Sequence, residues 1–456
     1  MEETIFSKIT KPYKDLMLQR IREFCAIDSV YDEDSKDKEN PFGKGVTKAL
    51  KYIQNVARND GYEVNNYNNM VVEILIGKGN KNITIMAHAD VVPVGTGWEH
   101  NPFDVFESGD YLYGRGVADD KGPCMSCYYA LKALADNNML GNYQVRFLVG
   151  GNEESGSLGM IHYFDELKKP QPTLGFSPDS DFPLIFAEKG ILNFIASCSF
   201  KYDNIVSIEG GIAFNSVIEK CDVILKKDDG FTKYLTDNKI KFEVKNDSNI
   251  TISFLGKAAH GSIPQEGINA GIIALNSLGD YYNISELKDI VNKYSDVYGR
   301  GINAYTFSED MGENSLNVGL ISYDGTTLKM TVNFRHVNTC SKEEIFERIV
   351  KGSYPIQVEE KSYSHLLYYP KDSTLISSLM HSYQEETGDY ESKPLSTGGG
   401  TYAKEASNVV AFGMQFPGFE SYMHSCKEQA RISDLVKSMA IYARAIYELG
   451  RKLNEN

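Results

Sequence analysis

Residues 83–95 read ITIMAHADVVPVG. The apolar run at the start is too short for a helix and rich in β-branched residues, the mark of a strand buried on both faces. His88 and Asp90 follow it two residues apart, and side chains at that spacing along an extended chain leave on the same side. A metal ligand and the group that orients it need this arrangement. One imidazole nitrogen meets the cation while the acid fixes the other N–H. A strand-end histidine satisfied by a neighbouring acid reads identically, so the segment takes its meaning from the rest of the chain.

Four further stretches supply that meaning. In LYGRGVADDKG (112–122) glycines set Asp119 and Asp120 in a tight polar loop ahead of a helix. Asp119 has two oxygens and can bridge two cations, which lie ~3.5–4 Å apart in paired sites. Asp120 at the helix start reads as a cap or dipole partner. In VGGNEESGS (149–157) Glu153 and Glu154 follow a strand. Adjacent side chains point apart, so one can hold metal while the other takes a proton from water. Asp179 in FSPDSDFP (176–183) and His424 in SYMHSCKE (421–428) complete a set of two imidazoles and several carboxylates at strand and loop ends. Such a set is the material of a two-metal hydrolytic site.

Four more segments offer substrate contacts. His260 in GKAAHGSIP (256–264) can polarise a carbonyl, and Arg335 in NFRHV (333–337) has a planar fork suited to a carboxylate. Asn215 in AFNSVIE (213–219) can bond the same ligand, and Gly398, Gly399 and Gly400 in STGGGTYA (396–403) offer bare amides to cradle it. The chain has no G-x-S-x-G elbow, no G-x-x-x-x-G-K-[ST] loop and no H-E-x-x-H helix.

With 456 residues, 42% hydrophobic and 24% charged, the chain has room for two or three compact units. A net charge of -15 argues against a nucleic-acid partner and an anionic membrane surface. The first 25 residues carry charges through every apolar stretch, which excludes a secretory h-region, and seven cysteines without a framework suit a reduced cytoplasm. Cys124 and Cys127 fall one turn apart in an expected helix (124–136) and read as packing residues, with oxidation of the pair left open.

Helices expected at 44–60, from 122, and at 157–168 alternate with strands at 70–76, 82–87, 143–149 and 173–176. That rhythm implies an α/β fold: a mixed, mostly parallel sheet covered by helices, with ligands outside the carboxyl ends of its strands. Between about 188 and 369 the pattern becomes antiparallel α+β, with strands at 190–200, 249–254 and 327–334 and helices at 268–278 and 342–350. After Pro370 the first pattern resumes with a helix at 373–387, a strand at 409–412 and a helix at 431–453. The expectation is one discontinuous catalytic domain, 1–187 and 370–456, carrying an inserted lid domain, 188–369.

Taken in order, HADVVPVG, GW…NPF…LYGRGVADDKGP, GGNEESGS, SPDSDFP, GKAAHGSIP, NFRHV, STGGGTYA and MHSCKE resemble the di-zinc exopeptidases of clan MH across nearly the whole chain. Length and the FSPD and GGGTYA segments are most similar to the PepV-type (Xaa-His) dipeptidases. The resemblance implies one cation on His88, Asp119 and Asp179 and another on Asp119, Glu154 and His424. Glu153 would be general base and acid, Asp90 the orienter of His88, and Asp119–Asp120 a candidate cis peptide.

It further implies hydrolysis of dipeptides with a free amino terminus by a metal-bridged water, with zinc, or manganese or cobalt, as cofactor. His260 would hold the oxyanion, and Asn215, Arg335, Gly398, Gly399 and Gly400 the substrate carboxylate, with closure of the lid completing the site. A monomer is expected, because the PepV lid stands in for a dimer partner. Asp rather than Glu at 179 favours the free-amine branch; the alternative is a deacylase of N-acyl amino acids of the aminoacylase or desuccinylase type. The segment MHSCKE departs from relatives in placing Cys426 beside His424, while Glu428 keeps an expected acid.

Overall fold

Why the run at 83–87 is apolar on both faces becomes plain from its neighbours. In the computed structural model, which describes residues 3–226, 228–246 and 249–455, Asn82–His88 lies inside a sheet and pairs in parallel with Gln144–Gly150 on one side and Leu174–Ser177 on the other. Val409–Ala411 extends the parallel centre beyond Leu174–Ser177. Val71–Gly77 and then Glu63–Tyr67 add antiparallel strands at the opposite flank. Ile83, Ile85, Met86, Val145, Phe147 and Leu148 are all buried, so successive residues pointing to opposite faces meet protein on both. The sheet is therefore mixed with a parallel heart, as the α/β pattern implies.

Helices supply the cover. Lys44–Asn59 packs on Val71–Gly77, and Lys121–Asp136 packs on Asn82–His88, on Lys14–Cys25 and on Ile432–Glu455. The helix expected over 157–168 is shorter: Leu158–Ile161 runs into a wider π-type turn, His162–Glu166. Ser157 opens it in the left-handed region at φ 58°, and the chain leaves it through Lys168, also left-handed. Cys124 and Cys127 are fully buried, and burial pushes both thiols well above their ordinary range. A thiolate is the reactive form, so full burial fits the packing reading.

The chain divides into two compact units. The sheet just described belongs to the first, which comprises the described residues up to Phe186, Tyr369–Leu395 and the described residues from Gly400 onward. Residues 1, 2 and 456, placed by sequence in the catalytic domain, lie outside the described residues.

The second unit comprises the described residues of Ala187–Tyr368 and Ser396–Gly399. Its sheet is antiparallel throughout, in the order Phe242–Asn246, Ile250–Leu255, Lys220–Leu225, Ile205–Gly210, Ser315–Tyr323, Thr327–His336, Gly190–Ser199, Gln357–Ser364. Ala270–Tyr281 and Ser285–Tyr294 pack on each other, and Ala274, Leu275, Leu278, Leu287 and Ile290 enter one core with Val223, Ile252, Phe254 and Phe334 of the sheet. The short segment Ser396–Gly399 joins this unit although sequence places it with 370–456. The reason is local hydrogen bonding: the Lys189 amide donates to Thr397 O at 3.1 Å, and the Arg335 guanidinium donates to Gly398 O.

Candidate active site

His88 ends its strand with its side chain fully buried. Its Nδ1 lies 3.0 Å from the backbone carbonyl of Asp90, to which it donates, and the Asp90 carboxylate stands at 3.4 Å. That bond turns Nε2 towards the acids, where it lies 3.0 Å from Asp119 Oδ1 and 3.6 Å from Asp179 Oδ2. The Asp90 carboxylate has a second task that the sequence did not reveal. Its two oxygens accept the amides of Glu153 and Glu154, each at 3.1 Å, and so fix the acidic pair.

Space beneath His88 is made by Gly150, which pairs with it across the sheet. A Cβ at 150 would lie 2.3 Å from the Tyr402 hydroxyl, so only glycine admits that ring. Tyr402 stands edge-on to the imidazole at 6.2 Å between centroids.

Asp119 is the hub. Its Oδ1 faces His88, and its Oδ2 lies 2.9 Å from His424 Nε2, which also lies 3.3 Å from Glu154 Oε1. Two donor groups result, His88–Asp119–Asp179 and Asp119–Glu154–His424, each with its ligand atoms within 4.8 Å of one another. The Asp119–Asp120 peptide is cis, as the resemblance implies. Asp120 does occupy the position before Lys121–Asp136, but its side chain makes no capping bond; it accepts the backbone amide of His88 at 3.0 Å instead. Asp120 is fully buried beside His88, where that amide is the nearer demand.

Glu428 sits fully buried behind the hub. Its Oε1 accepts the amides of Gly116, Ala118 and Asp119 at 2.9, 3.1 and 3.3 Å. Its Oε2 pairs with buried Arg115 at 2.6 Å, and Arg115 in turn donates to Pro93 O and lies over Trp98. One carboxylate thus ties the loop carrying Asp119 to the segment carrying His424. His424 itself takes a left-handed backbone at φ 64°, a strained conformation for a residue with a Cβ that persists only where its surroundings enforce it.

The electrostatics show what the site lacks in protein alone. Burial, then the charge of Asp179, raises the Glu153 carboxyl well above its ordinary range. Burial and Asp119 raise Glu154, and the same pair raises Asp179 to about 7. Hydrogen bonds to Asp119 and Glu154 raise His424 to about 11, while burial pulling His88 down is outweighed by its bonds to Asp119 and Asp90. The pocket therefore recruits protons onto groups that ought to be bare ligands, because its negative charge exceeds what its own donors balance. Two divalent cations would balance Asp119, Glu154, Asp179 and Glu153, and the nitrogen and oxygen donors suit them. The residues fit such a pair. Glu153 is half-buried, and its carboxylate accepts no hydrogen bond from another described residue.

The remaining candidates except Gly400 lie in the second unit, where they gather among themselves. Gly261 N donates to Asn215 O at 2.7 Å, which lays the His260 turn beside the Asn215 turn. A Cβ on Gly261 would come within 2.9 Å of Asn215 O and 3.0 Å of Asn333 Oδ1, so glycine permits this approach. The His260 ring is exposed, and its Nδ1 meets Ser262 Oγ at 2.6 Å. Arg335 is only 3% exposed, its Nε donates to Asn333 Oδ1 at 2.9 Å, and no carboxylate among the described residues pairs with it. Of the glycine amides read as a cradle, that of Gly399 is already taken by Thr397 Oγ1 at 3.1 Å. Gly400 belongs to the first unit.

Residues 84–448 match the model of Peptidase family M20/M25/M40. The chain belongs to that family. A relative named "Putative dipeptidase" from Staphylococcus saprophyticus is 32% identical over 96% of this chain and 98% of its own. Another of that name from Bacillus subtilis is 31% identical over 96% and 98%. Among solved structures, human carnosine dipeptidase 1 covers 98% of this chain and 99% of its own with a TM-score of 0.59 at 13% identity. The dipeptidase Dug1p of Saccharomyces cerevisiae covers 98% of each with a TM-score of 0.60 at 14% identity. The two structural likenesses speak to fold, which is the mixed α/β architecture described above.

Sequence reasoning missed Tyr402, Arg115 and the work of Glu428. Their chemistry is internal to the fold, and only Gly150 and the spacing of Glu428 from His424 hinted at it.

Proposed function

We propose that the chain is a dinuclear metal-dependent dipeptidase of the PepV type, cutting dipeptides that carry a free amino terminus. The observation that carries this reading is the single carboxylate of Asp119 set between two histidines, one at each oxygen. The dipeptidase names of full-length relatives support the substrate class. His88, Asp119 and Asp179 would hold one divalent cation and Asp119, Glu154 and His424 the other, with zinc, or manganese or cobalt, as the metal. Bound there, the pair supplies Lewis acidity to the scissile carbonyl and acidity to the attacking water.

The protein's own groups account for the remaining steps. Glu153 takes a proton from water and returns it to the departing amine. Burial favours its protonated form, and a general base must hold the proton between the two transfers. Asp90, by gripping both amides, keeps Glu154 on the ligand side and leaves Glu153 free. His260, oriented through Ser262, polarises the carbonyl and steadies the oxyanion. Arg335, Asn215 and the amides of Gly398 and Gly400 receive the substrate's carboxylate, that of Gly399 being held by Thr397. Arg335 is suited to this because it is buried, charged and without a carboxylate partner among the described residues. No helix among the described residues is long and apolar enough to cross a membrane; the reading adds a cytoplasmic monomer.

The test compares a plain dipeptide with its N-acetylated form, using metal-stripped protein with zinc or manganese added back. Cleavage of the free-amine dipeptide alone, and only with metal, is expected. Preference for the acetylated form would move the chain to the deacylase branch with the same base and ligands.

A further inference from the structure

Lys121 opens the helix that follows Asp119 and Asp120, yet its side chain is fully buried and bonds to main chain. Its stem runs past Gly116, where a Cβ would come within 3.1 Å of Lys121 Cδ. The amino group lies over the ring of Phe24, 5.2 Å from its centroid, and donates to Phe24 O at 3.2 Å and Ile27 O at 2.8 Å. Phe24 belongs to the last turn of Lys14–Cys25, where carbonyls lack partners within the helix and the dipole is negative. A buried lysine thus closes that helix and fixes the chain that leaves it.

That chain braces the strand end of the site. Ser29 Oγ donates to Ala89 O at 2.7 Å, Ser29 O accepts the amide of Val91 at 3.2 Å, and Val30 bridges to Val91 in parallel. Gly45 permits the approach, since a Cβ there would lie 2.0 Å from Asp28 O. The residue between the two Ser29 bonds is Asp90. Its backbone carbonyl takes the His88 Nδ1–H, and its carboxylate takes the amides of Glu153 and Glu154. A continuous path of hydrogen bonds and covalent chain therefore runs from Lys121, through 24–29, to the backbone that orients His88.

We propose that Lys121 is a positioning residue for the cation site. By holding Phe24 O and Ile27 O it keeps Ser29 against Ala89 and Val91, and so keeps Asp90 where it orients His88 and the acidic pair. This rests on the two-cation reading above. Groups that orient metal ligands typically carry about 10–100-fold in metal affinity.

The experiment uses the metal-stripped full chain and measures zinc affinity by competition with a chromogenic chelator. It compares the wild type with Lys121→Met, Ser29→Ala and the double variant. Each single change is expected to weaken binding about tenfold. The double variant should lose clearly less than the product of the two, because both changes act through one segment. With zinc restored to saturation, Lys121→Met should lower kcat for a plain dipeptide and leave KM unmoved. Wild-type affinity in folded Lys121→Met, or in Ser29→Ala should the lysine variant fail to fold, would overturn the positioning role with the two-cation reading intact. Losses that multiply in the double variant would overturn it too, by taking the effect of Lys121 off the path through Ser29. A wild type that takes up no zinc would overturn the two-cation reading and the proposal together.

Discussion

Asp119, Glu153 and Glu428 are three carboxylates within one small volume, and their surroundings give each a different task. Asp119 faces a histidine on each oxygen; the Glu153 carboxylate has no hydrogen-bond donor among the described residues; Glu428 is saturated by three amides and a guanidinium. Glu153→Gln should lower turnover by about 10²–10⁴-fold, the usual share of a general base. Metal content by elemental analysis should stay at two per chain, and retained turnover would remove Glu153 from the base role. Glu428→Gln weakens the hold on the Asp119 loop without touching a ligand. The expected result is metal affinity, read by competition with a chelator, that falls about 10–100-fold. Unchanged affinity would show that the loop holds its shape without the charge. The imidazoles and carboxylates that the structure gathers were legible in sequence because metal chemistry restricts residue type and strand ends restrict position. Glu428 and Tyr402 were not, since what they bond is backbone or ring packing that no local pattern announces.

At the scale of elements, the ends of strands do the placing. Asn82–His88, Gln144–Gly150 and Leu174–Ser177 run parallel and adjacent, so His88, the Glu153–Glu154 pair and Asp179 emerge at one edge of one sheet. The two strands that enclose Asn82–His88 are thus the reason three motifs far apart in sequence converge. In the second unit the end of Thr327–His336 presents Arg335 in the same way. Arg335→Ala should raise KM for a free-carboxylate dipeptide about 10–100-fold, the worth of a charge-assisted pair. The corresponding dipeptide amide should respond far less. An equal response of acid and amide would place Arg335 elsewhere. Strands buried on both faces were readable because their apolar runs are continuous. The helix expected at 157–168 was not, because its period continues through residues whose backbone turns wide at His162–Glu166 and ends left-handed at Lys168.

Across the whole molecule, charge balance links cation binding to stability. The native site concentrates carboxylates that an unfolded chain would disperse, so cations that bind the native form stabilise it by mass action. The gain is about 2.7 kcal/mol for one site at a hundred times its dissociation constant. Restoring zinc or manganese to stripped protein should therefore raise the thermal midpoint by several degrees, in Glu153→Gln as in the wild type. A midpoint indifferent to metal would contradict the ligand set.

The position of Val409–Ala411 beside Leu174–Ser177 has a consequence for synthesis. The first unit receives an inner strand, its long final helix and His424 only after the ribosome has passed residue 368, whereas Ala187–Tyr368 is nearly complete in one uninterrupted stretch. The later-begun unit is thus the one able to fold first, with the earlier residues waiting for their sheet to be filled. Nascent chains arrested shortly beyond residue 368 should resist limited proteolysis in the second unit and be cut in the first. Of the two donor groups, only His88, Asp119 and Asp179 is complete by then.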